Sequence, residues 1–136
     1  MAVLGATRII TLKLSVPPSA NEYFHVTAKG GRYPTPEAKA YRAAVAMLST
    51  LRFRSIAQPW FPDCDVALRM YWSRKNLAAG DLDNRLKILL DALQGVAYTN
   101  DRQVARIVAE RGDPAEHLPE WPDGYIDLVV EEFRAL

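Results

Sequence analysis

Cysteine is nearly missing from this chain of 136 residues: one thiol, Cys64, excludes an internal disulfide and suits a reducing compartment. Cys64 stands at the head of an apolar run, so it reads as a packing residue rather than a nucleophile. Histidine is scarce too. His25 falls in a loop and His117 in an acidic segment, which argues against a zinc site. No apolar run approaches the roughly 20 residues that a membrane-spanning helix needs. The stretch Met1 to Leu14 has neither a basic leader with a long apolar core nor a cleavage-site pattern, so secretion is not expected. Glycine-rich phosphate loops and nucleophile elbows are lacking, and Gly30-Gly31 matches neither. What is present is the balance of an ordinary soluble fold, 49% hydrophobic and 24% charged. The length predicts a single domain over residues 1–136, with little room for a second core.

The net charge of +1 conceals an uneven distribution. Met1 to Leu90 holds 13 Lys and Arg against 6 Asp and Glu, whereas Asp91 to Leu136 holds 4 against 10. A basic face on a near-neutral protein can bind a polyanion, because local potential matters more than the sum. Solvated surface accounts equally well for the same charges, so charge alone decides nothing.

Periodicity predicts a first strand over Arg8 to Val16, with Ile10, Leu12 and Leu14 on one face and Thr11 and Lys13 on the other. Pro17-Pro18-Ser19 stops it, and Ala20 to Tyr33 reads as a loop. Thr35-Pro36-Glu37 has the form of a helix start: a hydroxyl cap, proline at the first position and an acid in the first turn. That helix is expected to reach about Leu51, with Ala40, Ala43, Ala44 and Met47 at helical spacing. Cys64 to Trp72 alternates as a strand, with Val66, Leu68, Met70 and Trp72 sharing a face. A second helix is expected from Asp81 or Leu82 to Gln94, buried along Leu82, Leu86, Leu89, Leu90 and Leu93 and ended by Gly95. Val96 to Tyr98 reads as short and extended, Thr99-Asn100-Asp101 as a turn, and Gln103 to Glu110 as a strand. A final strand covers Tyr125 to Phe133, with Ile126, Leu128 and Val130 buried. The order β-α-β-α-β-β implies an α+β fold with two helices on one face of a small mixed sheet. Trp60-Phe61, beside a proline turn, reads as core rather than interface.

Asp81 and Asp83 flank Leu82 where the second helix begins, and Lys87 follows Asp83 by one turn on the same face. Taken alone, the helix dipole accounts for the two acids and an i,i+4 pair for the lysine. Asp101 adds a geometric possibility. The helix advances roughly 15 Å from Asp83 to Leu93, and the eight steps from Leu93 to Asp101 span up to about 26 Å if extended. Asp101 can therefore return to the helix start. Three carboxylates meeting there would repel one another unless a cation held them, and oxygen-only ligands favour Mg²⁺ or Mn²⁺. Lys87 would then neutralise charge developing on a phosphate. Asp91, two turns beyond Asp83, reads as structural or supporting.

The segments Asp81-Leu82-Asp83-Asn84-Arg85-Leu86-Lys87, Leu90-Asp91-Ala92-Leu93-Gln94-Gly95 and Asn100-Asp101-Arg102-Gln103-Val104 resemble the signature of RusA-like Holliday junction resolvases. Pro17-Pro18-Ser19-Ala20-Asn21-Glu22-Tyr23 and Ala40-Tyr41-Arg42 resemble that family's opening. The resemblance covers nearly the whole chain, in order and with similar spacing. It implies a RusA-like fold and a homodimeric, Mg²⁺- or Mn²⁺-dependent endodeoxyribonuclease making paired symmetric nicks across a four-way junction. It further implies work in DNA recombination and repair or phage DNA processing, in the cytoplasm of a bacterial or phage-infected cell, often from a prophage. Carried over by position, the metal-binding acids fall on Asp81, Asp83 and Asp101, and the essential lysine on Lys87. DNA contacts are expected from Lys29, Arg32, Arg74, Lys75 and Arg85. Two departures stand out: Asn100 replaces an acid the family often has, and the basic run before Asp81 is diluted to Arg74 and Lys75. Junction affinity is therefore expected to lean on the Ala20 to Tyr33 loop, with Lys29 and Arg32. Two other readings stay open: a structure-selective phage nuclease for other branched DNA, and a catalytically silent branched-DNA-binding protein.

Overall fold

Side chains that alternate in polarity lay down strands, and those repeating every three or four residues lay down helices. The computed structural model describes residues 8–18, 24–26, 32–34, 36–53, 59–73, 79–112, 120–121 and 124–134, with side chains left undescribed at 24–26, 32–34, 49–53, 79–81 and 84. The elements are β1 (Ile9–Ser15), β2 (Phe24–Val26), β3 (Arg32–Pro34), α1 (Pro36–Phe53), β4 (Val66–Ser73), α2 (Ala79–Leu93), β5 (Val104–Gly112) and β6 (Tyr125–Glu132).

Four strands form a mixed sheet in the order β1-β6-β4-β5. β6 runs antiparallel to both β1 and β4, and β4 runs parallel to β5. A parallel pair cannot be joined by a tight turn, and the chain between β4 and β5 contains α2. One face of the sheet is buried through Leu14, Leu68, Met70, Trp72, Ile126, Leu128 and Val130. Both helices pack there, α1 through Ala38, Tyr41 and Val45, and α2 through Ile88, Leu89, Ala92 and Leu93. The opposite face carries Lys13, Arg69, Tyr71, Val108 and Asp127 exposed to solvent. Cross-strand ion pairs link Lys13 to Asp127 and Arg69 to Glu131, each at 3.4 Å. The α+β architecture with two helices on one face is the expected one. Trp60 and Phe61 lie in the core, and Cys64 is half-buried against it as a free thiol. Among the described residues no helix is long and apolar enough to cross a membrane.

Three expectations are corrected. The stretch read as a loop, Ala20 to Tyr33, contributes β2 and most of β3, which pair antiparallel with Phe24 opposite Pro34. Arms of three residues are too short to show an alternation. In α1 the buried stripe is Ala38, Tyr41 and Val45, while Ala40, Ala43 and Ala44 are exposed and Met47 is 64% exposed. Burying Tyr41 and Val45 removes far more apolar area from water than burying alanines, and it lets the Tyr41 hydroxyl donate to the Ser15 carbonyl at 2.9 Å. Finally, Val96 and Ala97 form a turn instead of an extended segment. Their N–H groups return to the Leu93 carbonyl at 3.0 and 2.8 Å, and Gly95 ends the helix at φ +82°, a conformation side chains rarely adopt. In α2 the buried residues are Ile88, Leu89, Ala92 and Leu93, with Leu82, Leu86 and Leu90 only partly covered.

Candidate functional site

The site is built on α2 and the turn that follows it. The helix begins at Ala79, two residues earlier than expected, so Asp81 is its third residue and Asp83 its fifth. Only the first four N–H groups of a helix lack an internal partner, and the dipole fades beyond the first turn. Capping therefore accounts for an acid at Asp81 better than for one at Asp83. The Asp83 side chain is exposed, as is that of Lys87 one turn later. The side chain of Asp81 lies outside the described residues.

Asp101 sits in a short 3-10 turn, Asp101–Gln103, with Asn100 as its cap. The Asn100 side chain accepts the Arg102 N–H at 2.9 Å. Gln103 Oε1 accepts the N–H groups of Thr99 at 2.8 Å and Asn100 at 3.0 Å. The Asp101 N–H donates to Gln94 Oε1 at 3.3 Å, just past the end of α2. The main chain of Asp101 is thus docked near the C-terminal end of the helix. No described contact joins it to Asp83, which lies about 12 Å of helix rise before Asp91.

The carboxylate that Asp101 does influence is Asp91. Burial pushes the Asp91 carboxyl above the usual aspartate range; Lys87 and Arg42 pull it back, and the negative charge of Asp101 adds to the rise. Asp91, read from the sequence as a supporting residue, is therefore an electrostatic neighbour of both Lys87 and Asp101. Arg42 of α1 joins this patch and was not foreseen. Tyr98, fully buried beneath it, donates its hydroxyl to the Leu90 carbonyl at 2.6 Å. Its phenol is held above the ordinary range by burial first, then by Asp101 and Asp91.

Of the expected DNA contacts, only Arg85 has a described side chain. It is half-buried, and its guanidinium donates to the Pro17 carbonyl at 2.5 Å, tying α2 to the end of β1. Arg32 contributes its backbone to β3, whereas Lys29, Arg74 and Lys75 lie outside the described residues. Among the described residues no three His, Cys, Asp or Glu side chains gather closely enough to hold a metal. The donor chemistry nevertheless fits a hard cation: the acids offered are oxygen ligands, and the mutual repulsion of Asp91 and Asp101 is the kind a divalent ion relieves. Gln94 and Gln103 were missed as supports for Asp101. The signal for Gln103 was present in the spacing Asn100-x-x-Gln103, a capping pattern normally sought at longer helices.

No curated protein matches the chain. Against family descriptions, it matches Endodeoxyribonuclease RusA over residues 15–121, a span that starts at the end of β1 and takes in both helices, β4, β5 and the Asp101 turn. With well over half of its length matched in this way, the chain belongs to the RusA endodeoxyribonuclease family.

Proposed function

We propose that this protein is a divalent-metal-dependent resolvase, cutting four-way DNA junctions by paired symmetric nicks as a homodimer. The observation that carries the proposal is the family match over residues 15–121, which contains all four groups assigned to the chemistry. Asp81 and Asp83 from the first turns of α2, and Asp101 from the turn docked beyond its other end, are the acids that would supply oxygen ligands to Mg²⁺ or Mn²⁺. When bound, such an ion polarises the scissile phosphate and lowers the pKa of an attacking water. Lys87, exposed on the same helix as Asp83, stands ready to neutralise charge developing on the phosphate oxygens. Asp91 balances Lys87 and Arg42, keeping their charge local to the site. Arg85, bonded to the Pro17 carbonyl just after β1, would serve DNA binding from that position together with Lys29, Arg32, Arg74 and Lys75. A two-fold dimer suits a junction, which offers two equivalent strands to two equivalent sites. Recombination, repair and phage DNA processing are the settings where such a substrate arises.

The test is cleavage of a synthetic mobile four-way junction with Mg²⁺, with Mn²⁺ and with neither, mapping products on all four strands and running flaps, forks and linear duplex in parallel. Symmetric nicks on opposing strands are expected, dependent on the ion. Asp83→Asn should abolish cleavage while leaving junction binding largely intact; undiminished cleavage by that variant would remove the assignment.

A further inference from the structure

The turn that presents Asp101 contributes nothing to the core. Thr99, Asn100, Asp101 and Arg102 are all exposed, and none of the 3-10 turn is buried. Ordering exposed residues costs backbone entropy with no burial to offset it, so such a segment is ordinarily left loose. Here several side chains hold it, and one of them makes four bonds. Gln103 accepts two N–H groups through Oε1, from Thr99 and Asn100. Its Nε2 donates to two carbonyls, Phe61 at 2.8 Å and Cys64 at 2.7 Å. Both donor hydrogens and both acceptor positions of the amide are therefore used. Two N–H groups on one end and two carbonyls on the other admit only one orientation of the amide.

The anchor is itself rigid. Phe61 is fully buried, and its N–H donates to the Ala97 carbonyl at 2.9 Å. Thr99 adds a hydroxyl bond to the Pro62 carbonyl at 3.0 Å, and Gln94 takes the N–H of Asp101 itself. The Gln94 bond fixes Asp101 itself and the Thr99 bond a residue two before it, and the product is an exposed carboxylate on a braced peptide.

We infer that Gln103 is a positioning residue of the nuclease site, setting the place of the Asp101 carboxylate by bracing its turn against the Phe61–Cys64 segment. The inference rests on the reading of Asp101 as a metal-site acid. A glutamate at 103 is nearly isosteric yet cannot replace it, because a carboxylate would face the Phe61 and Cys64 carbonyls with no hydrogen to donate. Residues that orient metal ligands typically influence affinity 10- to 100-fold, and the same scale is expected here.

The experiment measures Mn²⁺ binding to the full chain by the loss of its free-ion electron paramagnetic resonance signal, without DNA or turnover. The proteins are wild type, Asp101→Asn, Gln103→Met, Gln103→Glu and a core control, Val45→Ala. Amide hydrogen exchange at Thr99, Asn100 and Asp101 is followed in the metal-free proteins. Expected are at least about 10-fold weaker Mn²⁺ binding in both Gln103 variants, faster exchange at those three amides, and near wild-type Mn²⁺ affinity in Val45→Ala despite its lower melting temperature. Wild-type Mn²⁺ binding by either Gln103 variant, with Asp101→Asn impaired, would overturn the positioning role alone. If Asp101→Asn binds Mn²⁺ like wild type, the assignment of Asp101 fails and takes the inference with it. Equal weakening in Val45→Ala would reduce Gln103 to a general stabiliser and also overturn the proposal.

Discussion

Tyr98 lies beneath the Asp101 turn with its ring fully buried and its hydroxyl 2.6 Å from the Leu90 carbonyl. That carbonyl belongs to the last turn of α2, where the helix supplies no N–H of its own. Tyr98→Phe keeps the ring and removes the bond, leaving a half-buried carbonyl without that donor. The expected cost at neutral pH is about 1–2 kcal/mol, or roughly 3–8 °C in melting temperature for a domain of this size. Alkaline pH should erase the difference. Burial, reinforced by Asp101 and Asp91, holds the folded phenol above the ordinary value of 10.0, which the unfolded chain retains. A folded value raised above the unfolded one contributes stability that is complete below pH 10.0 and declines as the pH climbs past it. The decline is about 1.4 kcal/mol per pH unit for each such group. Wild type therefore loses by about pH 11 what the hydroxyl contributed at pH 7, and the two stability curves should meet there. Tyr41, also raised by burial, is common to both proteins and cancels in the difference. Urea denaturation from pH 7 to 11 reads the effect. A gap unchanged at pH 11, or one below about 0.5 kcal/mol at pH 7, would refute the reasoning.

Three further outcomes are expected. Val45→Ala, at a residue 1% exposed, should cost about 2 kcal/mol in denaturant unfolding, whereas Met47→Ala on the exposed side of α1 should stay within about 0.5 kcal/mol; equal costs would restore the originally expected stripe. Gly95→Ala has open space around the new methyl group, so its loss of about 1–2 kcal/mol would come from the positive φ alone, and an Asn at the same place should lose less in the same thermal melt. Lys87→Met should lower the single-turnover rate of junction cleavage by about 100-fold or more with little change in junction affinity, and should raise the Asp91 carboxyl further in an NMR titration, because the attraction of Lys87 is removed.

The long periodic elements were legible because each carries a decisive pattern. Val66, Leu68, Met70 and Trp72 alternate without a break, and Ile126, Leu128 and Val130 repeat it on β6. Helix α1 was found by its cap and proline, but its rotation was not, since alanines at 40, 43 and 44 register as apolar while contributing little to the choice of buried face. Of the site, the residue types on α2 were readable and their arrangement was not. Chain reach permits Asp101 to approach the start of the helix, yet the bond to Gln94 docks its main chain near the other end. Reach is an upper bound, and the folding-back of residues 95–98 used much less of it. Asp91 reads as structural or supporting because helical rise separates it from Asp83; its electrostatic tie to Asp101 was not legible, since it depends on that same fold-back.

The place of β6 between β1 and β4 has a consequence for the order of assembly. Among the described strands β1 pairs only with β6, Ile9 opposite Glu131 and Ser15 opposite Tyr125. During synthesis the hydrogen-bonding edge of β1 must wait for a strand made more than a hundred residues later, while β4, α2 and β5 already form a contiguous crossover unit. The acids and their braced turn thus belong to an early-closing module, and the strand at the head of the chain is a late arrival. A chain interrupted after β5 would keep the residues of the site in place along the sequence, yet leave Ile10, Leu12 and Leu14 with no neighbouring strand to join. Such a fragment is a natural target for chaperones, because exposed strand edges and uncovered apolar faces are what drive aggregation.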